Sequence, residues 1–322
     1  MENCSQQPQF SEVSPFPADI RERAREKAAQ GKRLNLLQDI VFKMVFTAND
    51  HDSRLALKSL ISTCIHRQVS NVTVLNAEIP PEYLTGKTVR FDVRADFNDG
   101  ESADLEMQME LGGDDILARA VFYATRLLSG QVHRGDNYRD LKRVYQIFFI
   151  NKELFPGSPL FPRRYHLMED TEHDRLNNLI EILFYELPKL EGKAQALVER
   201  REEAENLSDE ERWCMYMMYQ KDEDKAELIK TLIGEDEGLM STEKVLDKVS
   251  RDREEWAKAL SRELAEMDYR SGMDNAERKG KEAKAYEVAR NLITRIGLPL
   301  EQVAEATGLD LAIVQSLAQT PR

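Results

Sequence analysis

Asp92 and Glu106 are the side chains of this sequence best placed to do chemistry, because each sits in a strict two-residue alternation. Val89, Phe91, Val93, Ala95 and Phe97 alternate with Arg90, Asp92, Arg94 and Asp96. After Asn98-Asp99-Gly100 the pattern resumes, with Ala103, Leu105, Met107 and Met109 set against Asp104, Glu106, Gln108 and Glu110. Period-two alternation marks half-buried strands, and Asn-Asp-Gly is turn chemistry. A three-residue loop, a type I turn closed by Gly100 in the left-handed region, pairs Phe97 with Glu101. Asp92 then faces Glu106, Arg94 faces Asp104 and Arg90 faces Gln108. Like charges opposed on a sheet destabilise it, so a hairpin built this way calls for a cation. Hard divalent ions take oxygen ligands and keep waters for substrate phosphates, which suits phosphoryl chemistry. A solvated polar face neutralised by Arg90 and Arg94 fits the same pattern.

Further residues extend the hairpin into a longer pattern. Asp39-Ile40-Val41-Phe42-Lys43-x-Val45-Phe46 precedes it, and Arg119 and Tyr123 follow on a helix. Then come Gln131-Val132-x-x-Gly135-Asp136-x-Tyr138, the stretch ILFYELPKL from Ile182 to Leu190, and a C-terminal GLPLEQVAEATGLDLAIVQSL. Together these resemble the PD-(D/E)XK nucleases, and within them the Rpn family of recombination-promoting nucleases and transposases, over roughly residues 34 to 317. Phe91 stands where proline is usual, and Gln108 stands where the superfamily has lysine; glutamine is common there in the Rpn family.

The resemblance implies an α/β fold with a restriction-endonuclease-like α-β-β-β-α-β core and a C-terminal helical region. It implies a magnesium-dependent DNA endonuclease, with manganese as a possible substitute, acting in recombination, transposition or horizontal transfer. Asp92 and Glu106 would be metal ligands, with the Met107 carbonyl as a third. Gln108 would orient the attacking water or the scissile phosphate, or else bond across the strands to Arg90; having no charge, it cannot act as a general base near neutral pH. Arg119, Tyr123 and Gln131 are substrate-binding candidates, although the Tyr123 hydroxyl could equally cap the core. Asp39 is a possible accessory carboxylate, with Lys43 one turn later as its alternative partner. Asp104 and Glu110 are assigned to an outer polar face. A catalytically silent binding or regulatory module and an RNA-directed nuclease are the competing readings.

Composition narrows the field. The 322 residues are 41% hydrophobic and 32% charged, enough for two domains with a real core. No apolar run suits a membrane span and the N-terminus lacks a signal pattern, so a soluble, cytoplasmic protein with no membrane partner is expected. Three scattered cysteines and five histidines show no zinc spacing. The net charge of −13 argues against a general DNA coat. It is unevenly spread: residues 116–150 carry +4 through Arg119, Arg126, Arg134, Arg139, Lys142 and Arg143, while residues 191–322 carry −9. The basic stretch is either a phosphate-binding strip or an ordinary solvated face.

Three regions follow. Residues 1–33 read as a loose arm ending in a short helix, 34–190 as the nuclease-like domain and 191–322 as a helical C-terminal region. Helices are expected over Leu34–Phe46, Ser53–Arg67 and from Asp114-Asp115 to Leu128. Strands are expected over Val69–Ile79, the hairpin, the doubly buried run Val144–Ile150 and Tyr165–Met168. Trp213 and the methionines and tyrosines around it read as helix packing. Pro299–Leu317 reads as two helices around Gly308. The second of these has no Lys or Arg, which points to protein contact and a possible homo-oligomer. By mimicking phosphate, the acidic region could hold the nuclease closed against the basic strip.

Overall fold

A computed structural model of the chain describes residues 15–75, 78–79, 89–109, 115–133, 135–199 and 204–319. Three helices come first: α1 Ala18–Ala29, α2 Asp39–Thr47 and α3 His51–Ile65. Five strands follow: β1 Val72–Val74, β2 Glu78–Ile79, β3 Val89–Arg90, β4 Val93–Phe97 and β5 Glu101–Gln108. Next are α4 Ile116–Ser129, β6 Val144–Ile150, β7 Arg163–Tyr165 and β8 Ile180–Glu186. The helices α5 Glu191–Val198, α6 Asp209–Tyr219, α7 Ala226–Ile233 and α8 Glu237–Ser250 lead into α9 Arg253–Asn291. A π-helical turn Leu292–Ile296, α10 Leu300–Thr307 and α11 Leu311–Gln319 complete the chain. The 1–33 arm is ordered from α1 onward, which buries Ile20 and Ala24; residues 1–14 lie outside the described residues.

Six strands form one mixed sheet in the order β1-β4-β5-β6-β8-β7, and β2 and β3 pair separately. The expected register holds: Val93 pairs with Leu105, Arg94 with Asp104 and Phe97 with Glu101. The turn differs from expectation, because Asn98 as well as Gly100 has positive φ (48° and 93°). Asparagine tolerates the left-handed region, and here its Oδ1 accepts from the Ser70 N–H at 2.9 Å. The first strand of the hairpin is also divided. Val89 and Arg90 belong to the small sheet, the chain bends at Asp92, and the main sheet begins at Val93.

β5 and β6 run parallel and lie inside the sheet, which explains why Val144–Ile150 is buried throughout. One face is covered by α2 and α3 with α8 beyond them. It is aromatic, with Phe42, Phe46, Phe149 and Tyr185 in ring contact and Trp213 of α6 reaching Phe46 at 6.4 Å between centroids. The other face lies under α4, where Ile116, Ala120 and Ala124 meet Phe148, Ile150, Ile182 and Phe184.

The chain divides into two compact units, one ending at Leu260 and the other beginning at Ser261, inside α9. Helices α5–α8 therefore belong to the first unit, with the sheet. The second has its own small core of Ala289, Val303 and Val314, with Leu292, Leu298 and Leu317 packed around them. Gly308, at φ 69°, closes α10 before α11 begins. No helix among the described residues is long and apolar enough to cross a membrane.

Candidate active site

Asp92 occupies the bend where the chain crosses from the small sheet to the large one, and its side chain replaces the missing ladder bonds. Its Oδ2 accepts from the Met107 N–H at 2.9 Å, while its own N–H donates to Glu106 Oε1 at 3.0 Å. Each carboxylate is thus tied to the other residue's stretch of backbone. The same bend turns Phe91 away from the face of Val93. Phe91 packs instead against Tyr123, Leu127 and Val144 on the α4 side, with the Tyr123 ring edge-on at 5.2 Å.

The polar face of β5 is not the outer surface expected for Asp104. Asp104 is fully buried and Glu106 is only 5% exposed, because the parallel neighbour β6 and the covering α4 enclose them. Asp104 stands beside Gln146 in the register, and Gln146 donates its amide N–H to Asp104 Oδ2. The Asp104 Oδ1 has no other donor within reach. The Glu106 carboxyl is close enough to share a proton with Asp104, a bond that exists only while one of the two is neutral.

Burial is the largest influence on all three acids. It pushes Asp92 up to about 6, with the Asp39 charge adding to the rise and Arg119 and Lys43 opposing it. Glu106 is held well above the ordinary carboxylate range by burial, then by the charges of Asp104 and Asp92. Asp104 is raised by burial and by Asp92, against the Gln146 hydrogen bond. Like charges contribute to the rise, but desolvation is its larger cause.

Arg119 reaches in from the first turn of α4, which Asp115 caps by accepting from the Leu117 and Ala118 N–H groups. Its Nη2 donates to Gln108 Oε1 at 2.6 Å, and its guanidinium lies 5.8 Å from the centroids of both Tyr123 and Phe148. The Arg90 side chain, and with it the Arg90–Gln108 contact, is not described, and Glu110 and Arg134 fall outside the described residues. Tyr123 is half-buried, and burial followed by the Glu106 charge pushes its hydroxyl up to about 12. Asp39 starts α2, where its Oδ1 accepts from the adjacent Ile40 N–H. Gln131 stands apart from the cluster: its Oε1 accepts from the Lys142 N–H at 2.8 Å and braces the loop before β6. Sequence reasoning missed Asp104 and Gln146. A lone glutamine inside VYQIFFI was the available signal, since a buried amide needs a partner.

Residues 36–276 match the family model described as PD-(D/E)XK nuclease family transposase. The chain belongs to that family. No significant match was found among curated proteins or among solved structures. Family membership accords with a restriction-endonuclease-like fold, with a nuclease or transposase role and with DNA as the substrate class. PD-(D/E)XK nucleases usually use divalent metal ions, and the donors present suit such an ion. They are all oxygen, from the half-buried Asp92 and the buried Glu106 with a neighbouring carbonyl. Among the described residues, no group of three or more His, Cys, Asp or Glu side chains is arranged to hold a metal.

Proposed function

We propose that this member of the family is a magnesium-dependent DNA endonuclease, with manganese able to substitute, serving recombination, transposition or horizontal transfer. The observation that carries this reading is the Asp92–Glu106 pair, interlocked through backbone amides beside Gln108 and Arg119. Asp92, Glu106 and the Met107 carbonyl would hold the ion. A bound divalent cation would supply Lewis-acid stabilisation of the phosphate and a lowered pKa for an attacking water.

The chain's own residues do the rest. Asp92 and Glu106 give up protons that burial has made easy to retain. Arg119 fixes the Gln108 carboxamide by its oxygen, so Gln108 meets a phosphate oxygen or a water through its amide N–H. Proton removal from the water does not fall to Gln108, which has no basic atom. Asp104 and Gln146 set the orientation of Glu106 from beneath. The half-buried Tyr123 and Arg119 border the reacting phosphate, and Gln131 shapes the loop behind them.

A catalytically silent module is the second reading. In its favour, one oxygen of each carboxylate is already taken by a backbone N–H and glutamine stands in the lysine position. Plasmid nicking with magnesium or manganese separates the two: activity abolished by chelator and by Asp92→Ala supports the nuclease. A folded wild type that binds DNA but never nicks it establishes the silent module. An RNA substrate run in parallel tests the remaining alternative, since only the 2′-hydroxyl separates the two backbones.

A further inference from the structure

The second unit begins within α9, a helix whose middle is exposed. In α9 every residue from Met267 to Lys284 is exposed, about five turns and roughly 27 Å of helix. Two glycines, Gly272 and Gly280, lie within that span and weaken it relative to alanine. Helical stability in proteins comes mostly from packing one face against a partner. Ala265, Tyr269, Gly272, Met273, Ala276, Gly280 and Ala283 recur at three- and four-residue steps and form an uncharged stripe. Tyr269 is 64% exposed and Met273 45%.

The charges beside this stripe identify the partner. Fold the helix sequence back on itself about the point between Met273 and Asp274, and Glu263 meets Lys284. Glu266 then meets Lys281, Asp268 meets Lys279 and Arg270 meets Glu277. No like charges meet anywhere between Arg262 and Ala285. A parallel in-register pair would place every charge on its own copy. The intrahelical pairs Arg262–Glu266 and Glu277–Lys281 are exposed i,i+4 contacts, of the kind that contributes little and exchanges readily.

We propose that α9 is a self-recognition element: two copies of this chain associate by antiparallel pairing of their α9 helices, centred between Met273 and Asp274. The stripe forms the seam. Opposite-charge contacts between acidic N-terminal and basic C-terminal halves set direction and register, as flanking charges do in coiled coils. Association weakens as salt rises, because exposed charges are screened.

The test is the mass of full-length protein in solution, by sedimentation or light scattering. Wild type is expected at twice the 37.1 kDa chain mass at micromolar concentration. Variant one carries Glu263→Lys, Glu266→Lys and Asp268→Lys; variant two carries Lys279→Glu, Lys281→Glu and Lys284→Glu. Each alone is expected at single-chain mass. Mixed, they are expected to form a one-to-one dimer, and a chain with all six changes is expected to self-associate again. The recovery in the mixture shows that neither variant is merely misfolded. A monomeric wild type, variants that stay dimeric alone, or a mixture that stays monomeric would each overturn the proposal.

Discussion

The two faces of the central sheet are made by alternate residues of the same strands, yet they behave as different materials. On β5, Ala103, Leu105 and Met107 point towards α2 and α3, while Asp104, Glu106 and Gln108 point towards α4. On β6, Tyr145, Ile147 and Phe149 oppose Val144, Gln146 and Phe148. The first face is dry and aromatic. The second holds two buried acids, Asp104 and Glu106, with the half-buried Asp92 and two amides beside one guanidinium. A face that only had to be stable would not keep uncompensated carboxylates, because burying a charge is costly unless it is paired. Under the proposed function, the contrast separates residues that hold the fold from residues that would do chemistry.

The largest effects should split cleanly along that line. Phe149→Ala opens a cavity on the aromatic face and should cost about 3–5 kcal/mol of stability. Cleavage per folded molecule should hardly change. Asp92→Asn and Glu106→Gln keep the shape but remove the charge. They should reduce nicking by about 10²-fold or more, with melting temperature unchanged or raised. Denaturant melts and nicking rates on all three proteins check this. A Glu106→Gln protein that melts early and still cuts would reverse the assignment of the faces.

The pH response sharpens the same comparison. An acid whose folded pKa lies above its unfolded value holds its proton more tightly when folded, so its contribution to stability falls as pH rises between the two values. For Asp92 that window runs from the ordinary carboxylate value to about 6. Metal-free wild type should therefore lose stability relative to Asp92→Asn as pH rises through that window. Magnesium should restore it above pH 6, and its affinity should fall as the pH drops, since protons compete for the same oxygens. Paired melts with and without chelator, with calorimetry across the range, read all three. Magnesium affinity that stays flat between neutral and acidic pH would remove the site.

Much of this was legible in the sequence, and the gaps have physical causes. Period-two alternation gave the hairpin register from Val93 to Phe97, and the apolar run Val144–Ile150 marked a strand covered on both sides. Alternation reports which residues share a face but not what covers it, so Asp104 was expected on the surface until α4 and β6 enclosed it. The bend at Asp92 was equally invisible, because Phe91 continues the alternating pattern while packing on the opposite face. Helices α6 and α8 looked like part of a C-terminal region because they are charged. Their buried stripes, including Trp213, Met215, Met217, Val245 and Leu246, seat them in the unit that contains the sheet. Truncation near Leu190 would strip those stripes away, so a test of the acidic C-terminus as a mask for the basic strip belongs at the Leu260 boundary.

A smaller effect should appear at Arg119, whose contribution is geometric. Lysine keeps the charge but cannot hold the Gln108 carboxamide with a planar fork. Arg119→Lys should lower nicking by about tenfold, the worth of one hydrogen bond to a charged group, while magnesium affinity stays near that of wild type. Gln108→Ala combined with Arg119→Lys should be little worse than either alone, because the two act as a unit. Additive losses in that cycle would mean that Arg119 contacts the substrate independently.

The smallest expected effect is at Asp104, and it is the one that most directly tests why the polar face is built as it is. Asn at this position keeps an oxygen for the Gln146 amide and a similar shape, but it removes one of the two acidic charges acting on Glu106. Glu106 should then ionise at lower pH, and the acidic limb of magnesium binding should move down by a fraction of a pH unit. Nicking at neutral pH should change little, whereas nicking below pH 6 should improve. If Asp104 instead contributes directly to holding the ion, Asp104→Asn should weaken magnesium binding at every pH, including alkaline pH where Glu106 is fully ionised. The pH profile of affinity for that single variant therefore distinguishes a carboxyl that tunes its neighbour from one that joins it.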